Sequence, residues 1–147
     1  MEVDESTGKV NVIRVVAAHD LGFAINPQMA EGQIEGGVAQ GVGWALMEEM
    51  RYGRKGSPKD ESFIGYKVPG ALDMPTIRAI LVETQEEKGP FGAKSLGESA
   101  LIPTAPAIAN AIYHATGVRI RELPMTPETV LRAFKSQRRG ENGGVRS

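Results

Sequence analysis

The sequence predicts an α+β fold, with a small mixed β-sheet packed against one long glycine-rich helix and two shorter helices. Three observations predict it. Runs of β-type residues, "KVNVIRVVAA" and "TIRAILVET", occupy residues 9–18 and 76–84. Helix-start signals stand at Asn26–Pro27, at Thr104 with Pro106, and at Thr126–Pro127. Strands and helices then follow one another without the regular alternation of a doubly wound parallel sheet.

The elements run in this order. Residues 3–18 read as the end of a strand, a turn at "DESTG" and a second strand. The first strand is short, as if cut from a larger architecture. "HDLGFAINP" is a loop, and the long helix follows from Pro27 to Glu49. "RYGRKGSPKDES" at 51–62 is a polar loop, and "FIGYKVPGALDMP" is extended and punctuated by proline and glycine. After the strand at 76–84 and a turn at "QEEKGP", the second helix runs from Thr104 to Gly117. "VRIREL" reads as a short strand, and "TPETVLRAF" as a third helix with Thr126 as N-cap. Residues 1–135 are expected to form one domain, and 136–147, "SQRRGENGGVRS", a disordered polar tail.

Composition excludes several functions. Of 147 residues 41% are hydrophobic and 24% charged, an ordinary globular balance. The net charge of -1 offers no basic field for nucleic acid or anionic lipid. Aromatic residues make up 5%, too few for a base-stacking platform. No apolar run reaches the ~20 residues of a membrane span, and the acidic start is unlike a signal peptide, so a cytoplasmic location is expected. With no cysteine, the chain itself has no disulfide, thiolate nucleophile or iron–sulfur ligand. His19 and His114 lack metal-ligand partners at short spacing and read as structural, and Asp20 is expected to bond its own turn.

Two segments carry candidate chemistry. The long helix contains Gly32, Gly36, Gly37, Gly41 and Gly43. At about 1 kcal/mol each against alanine, they imply a cost of about 5 kcal/mol, so close backbone approach must be required along it. Ile34, Val38, Val42, Ala45 and Glu49 form one helical stripe; Gln33, Gly37, Gln40 and Trp44 form another. Either the glutamine amides hold a polar ligand pressed to the helix, or the small residues simply admit a neighbouring helix. The second segment is "GPFGAKSLGESALIPTAPAIANAI", residues 89–112, with Glu98 after Gly97. Backbone amides of residues 92–97 can cradle a ligand edge. Glu98 is either a general base, tuned by partial burial, or a solvated carboxylate favoured by the nearby helix dipole.

"VVAAHDLGFAINPQMAEGQIEGGVAQGVGWALMEEM", "YKVPGALDMPTI" and the 89–112 segment together resemble the C-terminal part of the molybdopterin-binding subunit of the xanthine dehydrogenase/aldehyde oxidase family. The resemblance runs from about residue 3 to 134. It implies part of a larger molybdenum-cofactor-binding architecture. Its cofactor is molybdenum–molybdopterin in the cytosine dinucleotide form, and the enzyme hydroxylates an aldehyde or N-heterocycle using water. Glu98 is then the general base. Gln33, and less directly Gln40, contact the cofactor, and Lys94, Ser95, Leu96 and Gly97 line it. Ser95 and Leu96 depart from the glycine and valine of many members. The resemblance also implies partners: the remaining molybdenum-subunit segment, iron–sulfur and flavin (FAD) subunits or domains, and a small-molecule substrate, with no nucleic acid and no membrane. Without partner chains no turnover is expected. The alternative is a non-catalytic structural or assembly fragment of such a complex, without bound cofactor.

Overall fold

The structure is a computed structural model that describes residues 1–143. Among the described residues four strands and three α-helices alternate irregularly, and the α+β class holds. Strand β1 (Glu2–Val3) pairs antiparallel with β2 (Val10–Asn11). The turn between them is tied by Asp4, whose carboxylate accepts from Ser6 and Thr7. Those bonds, with the Ser6 hydroxyl first, hold the Asp4 carboxyl down at about 2. The apolar run from Lys9 to Ala18 is not one strand. It breaks at Val12–Ile13, and β3 (Arg14–Asp20) then pairs with β4 (Thr76–Val82) in parallel, Arg14 opposite Thr76. The β structure is therefore two small pairs, one antiparallel and one parallel.

Helix α1 (Pro27–Leu46) starts as its residues dictate. The Asn26 side chain accepts from the Met29 N–H at 3.1 Å, and Pro27 occupies the first turn, where its missing N–H costs nothing. The helix stops at Leu46 rather than Glu49, because the Met47 and Glu48 N–H groups both turn back to the Gly43 carbonyl. Its apolar stripe is the core: Ile34, Val38, Val42 and Ala45 are buried beneath β3 and β4. Side chains of that size contribute about 1.5–3 kcal/mol each when fully buried.

The expected close approach along α1 comes from α2 (Thr104–Thr116) and the turn before it. A Cβ on Gly37 would lie 2.7 Å from the Ala100 Cβ, and one on Gly41 would collide with the Thr104 side chain. Ala100 and Thr104 are both buried. Gly32 and Gly36 differ, since nothing lies within 4 Å of a Cβ built there. Helix α2 ends as predicted, on Gly117 in the left-handed region with its N–H on the Tyr113 carbonyl.

"VRIREL" is not a strand. Among the described residues no strand pairs with it; Val118 and Ile120 are buried in the core instead, and the chain leads to Met125, whose N–H donates to the Ala45 carbonyl at 2.6 Å. Helix α3 (Pro127–Gly143) is capped by the Thr126 hydroxyl, which accepts from the Thr129 N–H. It runs past Lys135 through residues expected to form a disordered tail, because Lys, Gln and Arg are good helix formers and Arg138 reaches Glu5 at 3.5 Å. The last four residues of that expected tail, 144–147, lie outside the described residues.

The loop after α1 contains a feature that its polar composition hides. Asp60 is buried there, and one of its oxygens accepts from the Arg51 N–H and Nε at 2.9 Å each. The second oxygen accepts from the other arm of the guanidinium, and the pairing with Arg51 holds the Asp60 carboxyl down at about 2. Tyr66, in "YKVP", donates its hydroxyl to Glu48 at 2.8 Å, fixing that segment to the end of α1.

Candidate functional site

The loop carrying Glu98 is fastened at both ends. At its entry, the turn after β3 clasps it: the Lys94 N–H donates to the Leu21 carbonyl and the Phe23 N–H to the Gly92 carbonyl, both at 2.8 Å. Gly22 adopts φ +66° here, with the Gly92 carbonyl where a side chain would stand, so only glycine fits. The Lys94 ammonium donates to Asp20 at 2.7 Å and to the Thr84 hydroxyl at 2.8 Å, and Thr84 also reaches Asp20. The Lys94 contact, followed by the Gly22 N–H, holds the Asp20 carboxyl at about 2. At its exit, the Leu101 N–H donates to the Glu98 carbonyl, and buried Ala100 packs on Gly37.

Between these anchors, Gln33 reaches across from α1, and its side-chain N–H donates to the Gly97 carbonyl at 2.7 Å. That bond joins the two candidate segments, 64 residues apart in sequence, one residue before Glu98. Leu96 is half-buried against the core and pins the loop from below. Ser95, Gly97 and Glu98 are exposed. Among the described residues, the backbone N–H groups of Ser95, Leu96, Gly97 and Glu98 donate to no backbone or side-chain acceptor. A row of uncommitted donors beside an exposed carboxylate and a glycine with open space around it suits an acceptor-rich ligand such as a pterin or a phosphate-bearing group.

The other candidate residues fall differently. Gln40 is exposed and its side chain makes no hydrogen bond among the described residues, so nothing joins it to the loop. The Lys94 side chain is committed to Asp20 and Thr84, which leaves its backbone as its contribution to the loop. Asp20 does bond its own turn, accepting from Gly22 N–H at 3.1 Å, but it also carries Lys94 and Thr84. Sequence reasoning missed that triad, because Thr84 and Lys94 stand 64 and 74 residues from Asp20 and only the parallel pairing of β3 with β4 brings their ends together. His19, next to the end of β3, is half-buried, and His114 is exposed on the last turn of α2. No helix among the described residues is long and apolar enough to cross a membrane.

Comparison with known proteins adds to this geometry. The family model of the molybdopterin cofactor-binding domain matches residues 1–75. The xanthine dehydrogenase molybdenum-binding subunit of Escherichia coli O157:H7 is 42% identical over 135 residues, covering 91% of this chain and 18% of that protein. Among solved structures, quinoline 2-oxidoreductase from Pseudomonas putida 86 superposes with a TM-score of 0.82 at 38% identity, over 90% of this chain and 17% of that one. The aldehyde oxidoreductase from Desulfovibrio desulfuricans superposes with a TM-score of 0.81 at 42% identity, over 89% of this chain and 14% of that one. The chain therefore spans less than a fifth of the length of these relatives.

Proposed function

The chain belongs to the molybdopterin cofactor-binding domain family, and on that premise we propose that it forms part of the cofactor site of a molybdenum hydroxylase and supplies its general base. The observation that carries this reading is the loop from Ser95 to Glu98. Its N–H donors are unspent, its carboxylate is exposed, and its position is set by Gln33. Relatives named as xanthine dehydrogenase and aldehyde oxidoreductase subunits support it.

In this reading the backbone N–H groups of Ser95, Leu96 and Gly97 hold the cofactor by donating to its acceptor atoms, while the Lys94 backbone, its N–H engaged by Leu21, lines it. Gln33 spends its N–H on Gly97 and keeps its side-chain oxygen to accept from the cofactor. Gln40, exposed on α1, is a second amide contact. When bound, the molybdenum cofactor, in its cytosine dinucleotide form, supplies the metal and the redox change that hydroxylation by water requires. Glu98 takes up a proton at its carboxylate from the water-derived nucleophile. Closure of the site by the remaining molybdenum-subunit segment excludes water around that carboxylate. The substrate is an aldehyde or an N-heterocycle. Flavin and iron–sulfur clusters belong to partner chains, and turnover requires those partners.

The test is assembly of this chain with the remaining molybdenum-subunit segment, followed by metal analysis and pterin fluorescence. Stoichiometric molybdenum and pterin are expected. A well-assembled complex without either would leave the non-catalytic, structural role as the better account.

A further inference from the structure

Strands β3 and β4 form a parallel pair that α1 covers on one face, and among the described residues no third strand flanks it, although parallel sheets ordinarily have both faces covered. Their register determines which backbone groups are spent. The Thr76 N–H donates to the Ile13 carbonyl and the Leu21 N–H to the Val82 carbonyl, with Val15 opposite Ile77. Odd-numbered residues of β3 therefore aim their backbone polar groups at β4. Even-numbered residues, Val16 and Ala18 among them, aim theirs at the opposite edge. Among the described residues, the N–H groups of Val16 and Ala18 have no acceptor.

That edge borders a groove. It runs along β3, and its far wall is α2, where Thr104, Ala107, Ile108 and Ala111 face it. Ala107 and Ala111 are one helical turn apart and leave depth beneath the strand edge. The outer face of the pair is uncovered and mixed: Val16 is 53% exposed, Ile80 38% and Val82 39%, with Arg78 opposite Val16. Between Val15 and His19 no proline, charged side chain or bulge guards the edge, as open edges of finished sheets usually require.

We infer that the free edge of β3 takes an extended strand from the remainder of the molybdenum subunit, which pairs with Val16 and Ala18 and lays alternate side chains on the Ala107–Ala111 shelf. This rests on the proposed function for the identity of the partner. Most of such a subunit lies outside this chain, which spans 18% of its relative. The incoming strand is apolar on the face that meets Ala107, Ile108 and Ala111 of α2. Main-chain hydrogen bonds supply the affinity, and the small residues of the shelf set which side chains fit.

Backbone amide hydrogen exchange tests it, on the chain alone and on its assembly with the remaining segment. In the chain alone, Ala17 and His19 are protected by β4 while Val16 and Ala18 exchange freely. In the assembly, Val16 and Ala18 are expected to slow by at least ~10-fold. Equal exchange in both states overturns the proposal. So does protection that appears in the chain alone as its concentration rises, since that assigns the edge to a second copy. Ala18→Pro removes an edge N–H without touching the ladder to β4 and is expected to weaken assembly at least ~10-fold. Ala107→Arg fills the groove from the helix side and is expected to do the same, so the question stays open to test if the proline variant does not fold. Unchanged assembly in either folded variant also overturns it. Failure of the proposed function reads differently: a complex with protected Val16 and Ala18 but without molybdenum.

Discussion

The two faces of α1 carry the same residue type to opposite ends. On one, Gly37 and Gly41 are pressed against Ala100 and Thr104, so closely that a methyl group has no place. On the other, Gly32 and Gly36 look onto open space, and Gln33, at the border of the two faces, holds the Gly97 carbonyl. The first face is finished within this chain. The second has paid the entropic cost of glycine with nothing yet packed there, which is what a surface awaiting a ligand or partner looks like. The same contrast separates two loop carboxylates. Asp60 is buried with both oxygens engaged by Arg51, whereas Glu98 is exposed with its side chain unengaged.

The sharpest way to break this contrast is at Glu98. In the assembled enzyme Glu98→Gln is expected to cut turnover by about 100- to 10,000-fold, the usual range for a lost general base, with molybdenum content retained. Steady-state rates alongside metal analysis measure it; near-normal turnover places the base elsewhere. On the closed face, Gly41→Ala is expected to lose about 1–2 kcal/mol net, since overpacking against Thr104 costs more than the helix propensity that alanine restores. Denaturant titration reads this, and a gain in stability would contradict the packing account.

The carboxylates separate by pH. Asp60 and Asp20 both sit at about 2, below their ordinary 3.8. Their stabilisation is therefore fully present above about pH 4 and fades as pH falls towards 2. Asp60→Asn is expected to flatten that acid limb, seen as a smaller fall in melting temperature between pH 4 and pH 2 than the parent shows. An unchanged slope would mean Arg51 does not hold it. The smallest effect has the opposite sign from Gly41: Gly36→Ala is expected to raise stability by about 0.5–1 kcal/mol, because the added methyl meets nothing. If the open face receives cofactor or partner, the same variant lowers cofactor occupancy in the assembly. Occupancy equal to the parent would show Gly36 to be outside the contact.

Local patterns were legible in the sequence because local physics sets them. The helix caps at Asn26 and Thr126, the glycine stop at Gly117, the buried stripe Ile34–Val38–Val42–Ala45 and the need for close approach along α1 follow from residues a few positions apart. "VRIREL" misled for the converse reason: alternating apolar residues announce burial, but a strand also needs a neighbour, and none was available there. Which glycines pack and which stay open, that Gln33 reaches Gly97, and that Asp20 gathers Thr84 and Lys94 were decided by tertiary structure. Each depends on groups tens of residues apart, brought together by the pairing of β3 with β4 and the packing of α1 on α2. A sequence specifies a turn through its own few residues, whereas a site such as the Glu98 loop exists only once distant segments fix one another in space.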